Sequence, residues 1–164
     1  MPVRILIADD NAAVRRALRG LFESVDHWEV IDARDGQEAV VKSIESRPDA
    51  IVLDLAMPQK DGLAAAKEIS ALLPDIPILM CTMHMSTLVQ AEALKSGIRQ
   101  VFSKGDSSLL VPAIRQLLGL EAPPVPQIRE SVAPVVAGSG TGSAGTATST
   151  EGESTPARPS LPEN

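Results

Sequence analysis

Ala50-Ile51-Val52-Leu53-Asp54 is the segment from which the rest of the chain can be read. Four apolar residues in a row leave no polar face for water, so the segment is expected to be a strand buried on both sides, as in a parallel sheet covered by helices. Similar short runs recur at Val3-Arg4-Ile5-Leu6-Ile7-Ala8, Glu29-Val30-Ile31-Asp32, Ile76-Pro77-Ile78-Leu79-Met80-Cys81 and Gln100-Val101-Phe102-Ser103, with amphipathic stretches between them. Five strands alternating with helical stretches predict βαβ units and an α/β fold.

The helices have their own signals. Val14, Ala17, Leu18, Leu21 and Phe22 recur at helical spacing, with Arg15, Arg16 and Arg19 on the other side and Gly20 as an interruption. Asp35 can cap a second helix, with Glu38 reaching back in a capping-box arrangement, and Pro48 ends it. A third helix over about 62–73 stops at Pro74, and a fourth over about 86–96 stops at Gly97 as a left-handed residue. Leu110, Ala113, Ile114, Leu117 and Leu118 form the stripe of a fifth, whose start Pro112 pushes to about Ser108 or distorts.

Composition narrows the class. The 164 residues suggest one domain, and an aromatic content of only 2% means that Leu, Ile, Val, Ala and Met must build the core. The net charge of −6 gives no electrostatic reason to bind nucleic acid or an anionic membrane. Cys81 is the sole cysteine, so no internal disulfide forms, and no run approaches the ~20 apolar residues of a membrane span. A cytoplasmic protein is expected. From Pro123 onward more than half the residues are Pro, Gly, Ser or Thr, so the chain divides into a domain over 1–120 and a disordered tail over 121–164; its valines at Val132 to Val136 read as part of a linker.

In an open α/β sheet, functional groups collect beyond the carboxyl ends of the strands. Here those ends carry Asp9 and Asp10, Asp54, Thr82 and Lys104. Taken singly, an Asp after a strand is more often a helix cap, and a Lys is usually only solvated. Together they place three carboxylates on one rim. These repel one another unless they share a cation, and a hard oxygen set with room for water suits Mg²⁺ or Mn²⁺.

Asp9-Asp10, Asp54 followed by Met57-Pro58 and Gly62, Thr82 and Lys104 resemble the response-regulator receiver family in order, spacing and placement, from residue 3 to about 119. The resemblance implies a flavodoxin-like doubly wound sheet of five parallel strands, order 2-1-3-4-5, with five helices. It implies that Asp54 is the phosphoacceptor, that Asp10 and Asp54 bind Mg²⁺ directly, that Asp9 acts through a water, and that the Ala56 backbone carbonyl completes the protein's ligands. Thr82 and Lys104 would hold the phosphoryl oxygens. The implied donor is a sensor histidine kinase or phosphotransfer protein. The output is the face formed by the fourth helix, fifth strand and fifth helix, where another protein or a second receiver docks.

Several positions depart from the family pattern. Val101 stands where most receivers have Tyr or Phe, which puts the aromatic rotamer switch in question. Gly105 replaces a common cis proline, as in receivers of the helix-turn-helix transcription-factor branch. Met83 is bulky where a small residue is usual, and Ala56 and His84 occupy positions that tune phosphoryl lifetime. The segment Met80 to Met85 also has soft-metal donors, but strand alternation separates Cys81 and Met83 from Thr82 and His84, so core sulfur is the reading. His27 is read as a surface residue remote from Asp54.

The sequence is therefore read as a single-domain response regulator rather than an enzyme. An aspartate-nucleophile phosphatase normally has a second acid two residues after the nucleophile, and Ala56 is there instead. The alternatives are a phosphorylation-independent receiver-like binding module and the receiver part of a transcriptional regulator lacking its DNA-binding domain.

Overall fold

The computed structural model describes residues 1–120. The tail expected over 121–164 lies outside the described residues. Five parallel strands form one sheet in the order β2-β1-β3-β4-β5, with β1 at Val3–Ala8, β2 at Trp28–Ala33, β3 at Ala50–Leu53, β4 at Ile78–Thr82 and β5 at Ile98–Ser103. The helices are α1 (Ala12–Glu23), α2 (Gly36–Ser46), α3 (Gly62–Leu72), α4 (Thr87–Lys95) and α5 (Leu110–Leu117). This is the doubly wound, flavodoxin-like α/β architecture expected from the sequence.

Alternation along the strands builds two cores. In β1, Leu6 and Ala8 face a cluster with Val40 of α2, Ile69 of α3 and Ala93 of α4, while Ile5 and Ile7 face another with Phe22 of α1 and Ile114 of α5. All four residues of β3 are buried, because both its faces are covered. The aromatic deficit is met by aliphatic packing, with one aromatic contact, Phe22 to Trp28, at 6.0 Å between ring centroids.

The helix boundaries follow local chemistry. Asn11, Asp35, Asp61 and Ser86 each cap a helix by accepting hydrogen bonds from its first free amides. The residue before Pro48, Arg47, leaves the helix in the left-handed region at φ 45°, and Gly97 ends the α4 segment at φ 90°. Ala17 is exposed, unlike the rest of the expected α1 stripe, whereas Leu18 and Phe22 carry its burial.

Four expectations need correction. β5 begins at Ile98, two residues early, because a bulge between its first two pairings lets Ile98 reach Ile78 while Gln100 pairs with Leu79. β4 begins at Ile78, since Pro77 has no amide for the ladder, and ends at Thr82. Met83, His84 and Met85 are therefore an exposed loop, and strand alternation does not govern them. Pro112 is tolerated because a 3-10 stretch over Lys104–Leu109 precedes α5, leaving the proline in the first helical turn.

The fourth correction concerns Glu38. Its amide donates to Asp35 Oδ1 at 2.7 Å as expected, but its carboxylate accepts from the Arg34 amide at 2.9 Å, one residue before the cap. The hydrogen bond to Lys42, and then the Arg34 amide, hold the Glu38 carboxyl down at about 2, against an ordinary value of 4.5. An acid held low in the folded state stabilises it above the unfolded pKa, and that stabilisation fades as pH falls from about 5 toward 2. Glu38→Gln should therefore cost under about 1 kcal/mol at pH 7, the scale of a partly exposed ion pair. Urea denaturation at pH 7 and at about pH 2.5 should show the difference between variant and parent much reduced at the lower pH.

Candidate functional site

Three loops at the carboxyl ends of β1, β3 and β5 meet at one rim. Asp9 and Asp10 follow β1, Asp54 follows β3, and the three carboxylates each present an oxygen within 4.8 Å of the others. Asp9 and Asp54 are buried, 1% and 6% exposed, while Asp10 is open to solvent. Lys104, directly after β5, reaches across with Nζ 2.6 Å from Asp9 Oδ2 and 3.2 Å from Asp54 Oδ2. Parallel strands whose ends align bring these side chains together although up to 95 residues separate Asp9 from Lys104.

Backbone donors hold the two buried acids. Asp9 Oδ1 accepts from the Asn11 amide at 2.8 Å, and Asp54 Oδ1 accepts from the Leu55 amide at 2.8 Å. The remaining Oδ2 atoms of both face Lys104. Thr82 is 1% exposed at the end of β4, its hydroxyl oxygen accepting from the His84 amide at 3.1 Å, so the hydroxyl anchors the β4–α4 loop. Ala56 is exposed on the β3–α3 loop, and Met83 stands 69% exposed beside Thr82.

The electrostatics follow from burial. Desolvation raises the Asp54 pKa, the neighbouring Asp9 charge adds to it, and Lys104 opposes both. Burial works against the Lys104 ammonium, but its hydrogen bond to Asp9 and the charges of Asp54 and Asp9 outweigh this and hold its pKa above the ordinary lysine value. Burial pushes the Cys81 thiol up to about 11, so it is not a thiolate at neutral pH.

Two contributors were given no role of their own in the sequence reading. Arg15, read as part of the polar face of α1, turns back and donates from Nη1 to the Asp9 carbonyl at 2.7 Å, bracing the loop that carries Asp9 and Asp10. Gly62 lies under Asp54 so closely that a Cβ on it would stand 2.1 Å from the Asp54 carbonyl oxygen. A guanidinium reaching six residues back has no sequence signature. The glycine did have one, its place in the motif after Asp54.

A doubly wound sheet whose strand ends gather three carboxylates, a hydroxyl and an ammonium defines an acid-pocket signalling domain of the two-component type. The chain belongs to the response regulator receiver domain family, which matches residues 5–115. It is similar to a protein-glutamate methylesterase/protein-glutamine glutaminase of Caldanaerobacter subterraneus subsp. tengcongensis, 39% identical over 117 residues, covering 70% of this chain and 32% of that protein. It is also similar to the response regulator MprA of Mycolicibacterium vanbaalenii, 41% identical over 97 residues, covering 59% and 42%. Among solved structures, a LuxR-family two-component response regulator from Aurantimonas sp. superposes with a TM-score of 0.69 at 31% identity, covering 74% of this chain and 88% of that one. The chain thus spans 32% and 42% of the length of these two curated relatives. No helix among the described residues is long and apolar enough to cross a membrane.

Proposed function

We propose that this receiver accepts a phosphoryl group on Asp54 from a histidine kinase or phosphotransfer protein in a Mg²⁺-dependent reaction, and that the modification switches a protein-binding face. The observation that carries the reading is the convergence of Asp9, Asp10 and Asp54 within 4.8 Å, with Lys104 against two of them. Receiver domains bind Mg²⁺ at such an acidic pocket, and the all-oxygen donor set, one member open to water, fits a hard divalent ion; Mn²⁺ is the second candidate. Asp10, Asp54 and the Ala56 carbonyl would be its direct ligands and Asp9 would hold it through a water. When bound, the ion neutralises charge on the phosphoryl oxygens.

The residues divide the remaining work. An Asp54 carboxylate oxygen forms the new bond to phosphorus as the bond to the donor's leaving group breaks, and the electron pair departs with that group. Lys104 donates to a phosphoryl oxygen where negative charge gathers, and its ammonium is already held at the rim by Asp9. The Thr82 hydroxyl, whose oxygen accepts from the His84 amide, donates its hydrogen to a phosphoryl oxygen, which draws the β4–α4 loop inward. The loop leads into α4, and α4 packs on β5, so the movement reaches the face made by α4, β5 and α5.

That face has the shape of an unsaturated surface. Leu88 and Leu94 of α4 are exposed at 69% and 63%, and a hollow of about 320 Å³ lies between α4 and β5, lined by Gln90, Leu94 and Val101 among others. An output protein or a second copy of the receiver is the proposed occupant, in the cytoplasm. Val101 is half-buried against the core under α4, so coupling through this position relies on packing of a stiff, small side chain rather than on an aromatic that swings.

Incubation with Mg²⁺ and a small acyl-phosphate donor, followed by intact-mass measurement, tests the reading. One added phosphoryl group is expected, and chelating the metal should abolish it. No gain from the small donor or from a panel of kinases, with the fold intact, would leave a phosphorylation-independent binding module.

A further inference from the structure

Gly36 opens α2, some distance along the chain from every residue assigned to the site, yet it is in contact with the loop that carries part of it. Its φ is not in the left-handed region, which among the described glycines holds only Gly97 and Gly119, so the backbone would accept a side chain here. Space would not. A Cβ at position 36 would stand 2.1 Å from the Lys60 carbonyl oxygen, 2.9 Å from its carbon and 3.0 Å from the Lys60 Cβ. A carbon approaching a carbonyl oxygen normally stops at about 3.3 Å, so one partner must move by more than about 1 Å.

Neither partner is loose. The α2 end is fixed by the Asp35 cap, whose side chain accepts from Glu38 and whose carbonyl accepts from the Ala39 amide at 3.0 Å. The loop end is a closed unit over residues 55–62: the Gly62 amide donates to the Leu55 carbonyl at 2.8 Å, the Lys60 amide donates to the Pro58 carbonyl at 2.8 Å, and the Lys60 ammonium pairs with Glu68 of α3. Gln59 within it already adopts φ 67°, a conformation few side chains tolerate, so the loop has little freedom to absorb a push locally. The displacement would travel to Ala56 and to the Leu55 amide that holds Asp54. Asp9 and Asp10 sit on a different loop, braced by Arg15, and would stay behind.

We infer that Gly36 is a positioning residue: its missing side chain seats the β3–α3 loop through the Lys60 carbonyl, keeping the Ala56 and Asp54 donors in register with Asp9 and Asp10. This rests on the Mg²⁺ reading above. A small ion that demands near-octahedral geometry is sensitive to a shift of that size.

The test is a Mg²⁺ titration of the full chain, followed by backbone amide NMR, for the parent, Gly36→Ala and Gly20→Ala. Gly20 has nothing within 4 Å of a built Cβ, so it controls for the residue change alone. Expected are a Mg²⁺ Kd raised at least tenfold in Gly36→Ala, unchanged in Gly20→Ala, and apo shift differences in Gly36→Ala concentrated over residues 54–62. A folded Gly36→Ala with the parent's Kd overturns the inference. Should that variant not fold, the parent decides: the Gly36 and Lys60 amides must shift with the same Mg²⁺ midpoint as Leu55, and a Gly36 amide that stays still overturns it. A parent showing no Mg²⁺ response at all overturns the metal reading, and this inference with it, whereas a normal parent beside an unaffected Gly36→Ala removes this inference alone.

Discussion

Asp54→Asn is expected to gain no phosphoryl group under conditions in which the parent gains one. The substitution keeps the shape of the side chain and replaces an anionic oxygen nucleophile by a carboxamide, which cannot form the acyl phosphate. The fold should survive, because the Asn oxygen can still accept from the Leu55 amide or face Lys104. It should even be relieved of some strain, since burial and the Asp9 charge already press on the Asp54 carboxylate. A thermal midpoint within a few degrees of the parent, with no mass increase, would locate the chemistry at this carboxylate. A mass increase that persists in Asp54→Asn would move the modification to another residue and end the present assignment.

The second large effect concerns Lys104, whose loss is expected to affect both chemistry and stability. Lys104→Met removes the cation that faces Asp9 at 2.6 Å and Asp54 at 3.2 Å, leaving two buried carboxylates beside each other. Breaking a buried pair in this way typically costs about 3 kcal/mol or more, because the surviving charges are desolvated and uncompensated. The sign of the pH dependence follows. With Lys104 gone, the Asp54 pKa rises further in the folded state, so the native form binds more protons than the unfolded one and stability recovers as pH falls from 7 toward 5. Millimolar Mg²⁺ should recover part of it at pH 7 by supplying the missing positive charge. Denaturation of parent and variant at pH 7 and pH 5, with and without Mg²⁺, reads all three. Phosphorylation by a small donor should slow by about a hundredfold, the usual scale for losing one preorganised donor to transition-state charge. A variant as stable and as fast as the parent would show that the Lys104 contacts are incidental.

The two substitutions probe different properties of one constellation. Asp54 tests where the covalent bond forms, and Lys104 tests why three acids can share a rim. The small, pH-dependent effect expected for Glu38→Gln sets the contrast: a partly exposed pair at a helix start contributes little, while loss of the buried pair at the site is expected to change both folding and chemistry.

The sequence alone determined the element order and the candidate residues, because those signals are local. Four apolar residues before Asp54 require a covered strand, stripes at helical spacing require a core-facing helix, and acids, a hydroxyl and an amine standing directly after strands are brought to one edge once the strands run parallel. Only the tertiary structure decided how those residues meet. The bulge that starts β5 at Ile98 depends on pairing with β4, the 3-10 stretch that accommodates Pro112 depends on where β5 delivers the chain, and Glu38 turns to the Arg34 amide because Lys42 also draws it. The bridge from Lys104 to Asp9 and Asp54, the brace from Arg15 to the Asp9 carbonyl, and the contact of Gly36 with the Lys60 carbonyl join atoms whose distance is set by packing across the sheet. Periodicity and motif spacing describe one segment at a time, and contacts between segments exist only after the sheet has placed them.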